Sequence, residues 1–410
     1  MMRQWYRAGL VCAAMGLGYV AASPACAAPS IRVLLASDVQ RLEAGAERIM
    51  WVSDDRGRSR SYRTTLRIEV RGQALLLNGS RVVGEQVTLR AGERDLKLWL
   101  PRQTGNSNGA PSKTGQEKVV LQVSGVVQLV RRGTGLMVVN HVDLEEYVKG
   151  VVPSEVSSSW HPEMLKAQAV AARTYALYQH MLSLSRDYDV AASIQDQVYR
   201  GRHGVDERVE QAVESTRGLV VTYQNAPIYA AFSSTAAGLT EDATVVWSKD
   251  LPYLKGVECP FDLASPYYQW KTSFKLETLE KNLRQLGFDV GTIATLTPLS
   301  FSRSGRVATL RLLHSKGELI LRGEELRKAI GYTVVPSTQF TIDSFGEEVV
   351  MSGYGAGHAV GLCQWGAKEL AELGYSYASI LLYYYPGTEL RNASLTQAPP
   401  IPPVIPAPAS

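Results

Sequence analysis

The run Pro162-Glu163-Met164-Leu165-Lys166-Ala167-Gln168-Ala169-Val170-Ala171-Ala172-Arg173 restricts the fold more than any other stretch of this chain. A proline in the first turn, then helix formers unbroken by Gly or Pro, predicts a helix that starts after Ser159 and continues toward Met181. Its short Ala side chains let a neighbouring element pack close. Leu165, Ala169, Ala172 and Ala176 recur at i, i+4, i+7 and i+11 and make one apolar face, whereas Lys166 and Arg173, seven apart, share another. These two cations are expected to point the same way, as a binding stripe or as a solvated one. Just ahead lies Val151-Val152-Pro153-Ser154-Glu155-Val156, a carboxylate among apolar residues. Burial raises a carboxyl pKa, which suits a general acid near neutral pH. A capping or salt-bridged surface glutamate is the alternative that the residues alone leave open.

Around this helix the chain of 410 residues mixes strand and helix patterns. From Ile31 to about Leu100, short runs such as Leu66-Arg67-Ile68-Glu69-Val70 alternate apolar and polar residues between Gly and Asn-Gly turns. Residues 28–118 therefore read as a β-rich module that ends in a polar loop from Pro101 to Lys118. More strands are expected from Val119 to Val139. Later helices are expected from Asp206 as N-cap to Gly218 as stop, and over Leu276–Gly287, Gly323–Gly331, Gln364–Gly374 and Tyr377–Tyr385. A strand Leu219–Tyr223 with a turn at Gln224-Asn225 follows the first of these. Without regular βαβ alternation or an internal repeat, the fold class is α+β, with residues 119–394 as the second domain. Residues 395–410 are a Pro-rich tail, read as an extended spacer.

The first 27 residues read as an export signal, with Arg3 and Arg7 ahead of an apolar run from Leu10 to Ala22 and small residues ending Ala25-Cys26-Ala27. The run falls short of the roughly 20 residues of a spanning helix, so cleavage and export to the periplasm or cell envelope are expected. Lipoprotein anchoring through Cys26 is disfavoured, because Ser23 stands where a lipobox wants Leu. Loss of the signal lowers the formal charge from +4 to +2 and leaves two cysteines, Cys259 and Cys363, either bridged or as buried thiols.

Composition narrows the partners. Lys and Arg number 43 against 39 Asp and Glu, and no basic run interleaves with aromatics, so a nucleic-acid partner has no support. Twenty Tyr and seven Trp keep polar handles that suit sugar rings as well as cores. The usual metal and nucleotide signatures are missing, and no metal or cofactor is expected. Gly353, Gly355, Gly357 and Gly361 do not match dinucleotide spacing. They read instead as a tight backbone path that brings His358, Gln364 and Trp365 to one surface.

The segments Leu144 to Val152, Glu155, Trp160 and Leu165 to Ala176 together resemble the signature of the stage II sporulation protein D family, which includes amidase-enhancer proteins. Four further blocks agree in order: Gln197-Val198-Tyr199-Arg200-Gly201; Ala212 to Gly218; Val246-Trp247 with Pro252-Tyr253-Leu254; and Gly357 to Ala367. The resemblance covers roughly residues 31 to 391. It implies a strand-rich, family-specific fold with the Ala-rich helix beside the catalytic segment. It also implies either a lytic transglycosylase of peptidoglycan glycan strands or a non-catalytic activator of a cell-wall amidase. By the same resemblance the catalytic glutamate falls on Glu155, and substrate contacts fall on Lys166, Gln168 and Arg173. Tyr199 and Trp365 would offer stacking faces, with Ser234, Thr235, His358 and Gln364 as further contacts. One carboxyl suffices for such a lyase, since no water is activated. Relatives that hold zinc carry His and Cys just before the Gln-Val-Tyr motif, where this chain has Ser193-Ile194-Gln195-Asp196. A thiol-peptidase arrangement of Cys363 with His358 is the remaining alternative.

Overall fold

Alternation in the N-terminal third does what it should in a half-buried sheet: Leu66, Ile68 and Val70 point into the core while Arg67 and Arg71 face solvent. The computed structural model describes residues 29–92, 95–101, 118–194 and 196–399. The signal segment, most of the polar loop and residues 400–410 of the tail lie outside them. A seven-stranded sheet runs in the order Val190–Ala191, Ser30–Val39, Gly135–Asp143, Val126–Arg132, Gln86–Ala91, Met50–Asp54 and Ser59–Tyr62. A six-stranded sheet runs Lys118–Val123, Leu96–Pro101, Arg41–Ala46, Leu66–Arg71, Ala74–Leu77 and Ser80–Arg81. Both sheets contain strands from either side of residue 118, because Ser30–Val39 pairs with Gly135–Asp143 and Leu96–Pro101 pairs with Lys118–Val123. Their inward side chains join one core with the helices that follow.

Asp143 ends the first sheet and caps helix α1 (Leu144–Glu155), accepting from the Glu145 amide at 2.9 Å. Helix α2 (Pro162–Leu182) starts with Pro162 at its first position, capped by the His161 imidazole. Against expectation it has no polar stripe over most of its length. Every residue from Met164 to Tyr178 except Lys166 is buried, because α2 is wrapped on several sides. Its neighbours are α1, α3 (Glu207–Ser215), the strand Leu219–Tyr223, α7 (Gln364–Glu372) and α8 (Tyr377–Tyr384). The small Ala side chains allow this enclosure. The turn after Leu219–Tyr223 has Gln224 at φ 50° and Asn225 at φ 63°, the left-handed pair that a two-residue hairpin turn needs.

The chain then leaves this core and builds a second one. Short α4 (Ala243–Trp247), which the sequence pattern does not reveal, precedes it. Strands Gln269–Lys275, Glu348–Tyr354 and Gln339–Ser344 form one small sheet; Ile293–Phe301, Val307–His314 and Gly317–Arg322 form another. With α5 (Leu276–Gln285) and α6 (Gly323–Ile330) they enclose Leu279, Leu283, Leu310, Leu312, Leu326 and Val349. Residues from Ala359 to Tyr385 return to the first core. The architecture is α+β with a β-rich N-terminal region. Among the described residues no helix is long and apolar enough to cross a membrane.

Candidate active site

Glu155 is the last residue of α1, where the carbonyl end of the helix disfavours a negative charge. It is half-buried, and the surrounding protein pushes its carboxyl up to about 7. Desolvation is the main cause. It is opposed by the Val198 amide, which donates to Oε1 at 2.7 Å, by a bond from the Gln364 side chain, and by the charge of Arg200. Among the described residues no carboxylate contributes to this shift. The result is one carboxyl that is protonated and ionised in comparable amounts at neutral pH.

The loop that supplies the Val198 amide sits close to α1 because residue 150 is glycine. A Cβ there would stand 2.5 Å from the Gly201 carbonyl and 2.6 Å from the Tyr199 ring. Gln364, the first residue of α7, also donates to the Gln168 Oε1 of α2 at 3.4 Å. Gln168 is fully buried and its amide nitrogen has no hydrogen-bond partner among the described residues. Trp365 follows on α7, with its ring edge-on to Trp160 at 5.1 Å and its amide bonded to the Ser234 carbonyl at 3.1 Å. Glu155, Gln168, Gln364, Trp365, Trp160 and Ser234 thus belong to one connected locus. The glycine path delivers α7 to it: Gly355, Gly357 and Gly361 all have positive φ, and a Cβ at Gly357 would stand 2.6 Å from the Ser233 side chain.

Three expected contacts are placed differently. Arg173 is completely buried and gives its guanidinium to Glu145, with further bonds to the carbonyls of Leu219 and Val213. It locks α2 to α1 and to the strand after α3, so it presents nothing to a ligand. Tyr199 is buried too: its ring stacks on Tyr147 at 5.2 Å and its hydroxyl donates to Asn140 at 3.0 Å. Thr235 is fully buried and shares a hydrogen bond of 2.7 Å with Ser265. In each case the partner comes from a distant segment, which local sequence does not show.

Lys166 remains partly exposed on α2, 2.8 Å from Glu163, whose other oxygen accepts from the Tyr377 amide at 2.7 Å. His358 packs at 4.8 Å from Trp247, and its Nδ1 accepts the Val360 amide. Burial pushes its imidazole down to about 3, so it is neutral. It is not the partner of the thiol: Cys363 faces Asp262 at 3.2 Å, which removes the support for a thiol-peptidase pair. Cys259, Asp262 and Cys363 are the one group of potential metal ligands among the described residues. Missing from the sequence reading is the Val198 main-chain donor, for which a side-chain motif carries no signal.

Comparison with known proteins bears on this geometry. Residues 132–223, which contain α1, α2 and Val198, match the family described as Stage II sporulation protein. Residues 249–361 match a domain of unknown function (DUF8618) and contain the second core. The chain is 33% identical over 299 residues to stage II sporulation protein D of Bacillus subtilis, covering 69% of this chain and 83% of that one. It is 32% identical over 271 residues to an uncharacterised protein of Brachyspira hyodysenteriae, covering 66% and 72%. It is also 34% identical over 291 residues to the amidase enhancer of Bacillus subtilis, covering 60% of this chain but 40% of that protein.

Proposed function

Because the chain belongs to the stage II sporulation protein D family, we propose that it works on the bacterial cell wall as an exported lytic transglycosylase of peptidoglycan. The observation that supports this most is Glu155: a half-buried carboxyl held near pKa 7 by desolvation, with no second carboxylate contributing to that shift among the described residues. Hydrolysis by two-carboxylate chemistry needs a partner group to activate water or to attack the sugar. A lyase needs only one group in two roles.

In the proposed reaction protonated Glu155 gives its proton to the oxygen that bridges MurNAc and GlcNAc as the bond to the MurNAc C1 breaks. The resulting carboxylate, steadied by the Val198 amide, then takes the proton of the MurNAc 6-hydroxyl while that oxygen closes onto C1. The product is the 1,6-anhydro sugar, and Glu155 ends protonated as it began. Gln364, which also donates to Gln168, fixes the carboxyl's orientation. Trp160 and Trp365, both partly exposed and 5.1 Å apart, offer the sugar a stacking corner. Lys166 is the cation left on α2 for a lactyl carboxylate. Export is part of the proposal, since the substrate lies outside the cytoplasm and residues 1–27 carry a signal pattern.

The decisive experiment incubates the protein with intact and with peptide-stripped peptidoglycan and identifies the products by mass spectrometry. Anhydro-MurNAc ends that disappear with Glu155→Gln are the expected result. A second reading, activation of a wall amidase without catalysis, is favoured by the similarity to an amidase enhancer. It predicts no cleavage of either substrate, and amidase stimulation that survives Glu155→Gln.

A further inference from the structure

Behind the first turn of α7, three side chains from separate segments converge. Cys259 lies in the short strand Glu258–Cys259, Asp262 in the loop after it, and Cys363 is the residue that caps α7. The two sulfurs and a carboxylate oxygen all lie within 4.8 Å of one another, and Cys259, Asp262 and Cys363 are 0%, 0% and 1% exposed. Asp262 is held rigidly: its Oδ2 accepts the amides of Ala236 at 2.7 Å and Ala237 at 2.8 Å and faces the Cys363 sulfur at 3.2 Å. Its Oδ1 is buried and has no hydrogen-bond partner among the described residues. A carboxylate oxygen in that position costs free energy unless something positive meets it.

Only a residue without a Cβ lets the first turn of α7 come this close to the sulfurs. Gly366 faces them, and a Cβ there would stand 2.5 Å from the Cys259 sulfur and 3.4 Å from that of Cys363, besides colliding with the Tyr384 hydroxyl. That hydroxyl closes the remaining side, 3.2 Å from Cys259. We propose that Cys259, Asp262 and Cys363 form a binding site for a thiophilic divalent cation of the zinc class. Thiolate and carboxylate ligands at ordinary zinc distances stand about 3.5–3.8 Å apart around a tetrahedral ion, and here the Cys363 sulfur and the Asp262 oxygen are 3.2 Å apart with all three ligand atoms within 4.8 Å of one another. Two thiolates, a carboxylate and a divalent ion carry one net negative charge. The buried guanidinium of Arg306 offsets it, since Arg306 bonds the Ala236 carbonyl beside the amide that holds Asp262.

These residues are different from Ser193 to Asp196, where no cysteine or histidine stands. The ion would pin the start of α7 to the 259–262 loop, one residue from the Gln364 side chain that touches Glu155. It does not depend on the reaction proposed above.

The test uses the full chain, its Cys12→Ser/Cys26→Ser form, and Cys259→Ser and Asp262→Asn variants. Dialysis against Zn²⁺ should leave one equivalent by elemental analysis, and Co²⁺ should give a thiolate-to-cobalt charge-transfer band. Cys259→Ser and Asp262→Asn should weaken Zn²⁺ binding at least tenfold, whereas Cys12→Ser/Cys26→Ser should not change it. Should a variant misfold, alkylation mapping of the parent still decides: Zn²⁺ must protect Cys259 and Cys363. Linked Cys259 and Cys363 peptides, absence of binding with both thiols free, or alkylation that Zn²⁺ leaves unchanged would each overturn the proposal.

Discussion

Arg173 holds Glu145 through two charge-assisted hydrogen bonds, Nε to Oε1 at 2.9 Å and Nη2 to Oε2 at 2.7 Å, with the side chains 0% and 3% exposed. The same carboxylate also accepts the Gly218 amide, so one ion pair ties α1, α2 and the segment after α3 together. Arg173→Met leaves a buried carboxylate without its cation and should destabilise the fold by about 3–5 kcal/mol. Adding Glu145→Gln should return a large part of that loss. Urea denaturation of the single and double variants measures both.

Glu155 carries a pH signature with a definite sign. Its carboxyl lies near 7 in the folded protein against about 4.5 normally, so between these values the folded state binds more protons than the unfolded one. Its contribution to stability is therefore present below about 4.5 and is lost as pH rises to about 7. Glu155→Gln should remove that decline and gain on the order of 3 kcal/mol relative to the parent at pH 8. Chemical denaturation at pH 5 and pH 8 tests it. Activity that needs the protonated acid should fall as pH rises through about 7.

Gly150→Ala forces a methyl group against the Gly201 carbonyl and the Tyr199 ring. Overpacking of this kind costs about 1–3 kcal/mol. It should also push the Val198 amide away from Glu155, raising the carboxyl further. The expected readout is a higher upper limb in the pH–activity profile together with a lower melting temperature.

Tyr199→Phe removes the hydroxyl bonded to Asn140 but keeps the ring on Tyr147. It should cost about 1 kcal/mol in stability while leaving KM for glycan fragments unchanged. By contrast Trp365→Ala, at the edge of the Glu155 locus, should raise KM severalfold. Steady-state kinetics on both variants separates a core tyrosine from a substrate platform.

Local physics made much of this fold legible. Pro162, Asp206 and the residues from Gly323, Gln364 and Tyr377 start their helices where capping and periodicity predict, with ends shifted by one to three residues. Apolar alternation marks the inward faces of the N-terminal strands, and Gln224-Asn225 makes its turn. Each of these depends on neighbours within a few positions. The resemblance to sporulation protein D singles out Glu155, Gln168, Gln364 and Trp365, and the fold joins them in one locus.

What the sequence by itself determined is most of the longer helices and the N-terminal strands, the carboxyl among apolar residues, and the family to which the chain belongs. The tertiary structure decided the use of individual side chains. A spacing of seven on α2 gives Lys166 and Arg173 the same direction about the helix axis, but α1, α3 and the strand Leu219–Tyr223 cover only one of them. Arg173 thereby meets a partner 28 positions away, Tyr199 one 59 away, and Glu155 an amide 43 away. Desolvation, and with it the pKa of Glu155, exists only after those distant segments have excluded water from the same small volume.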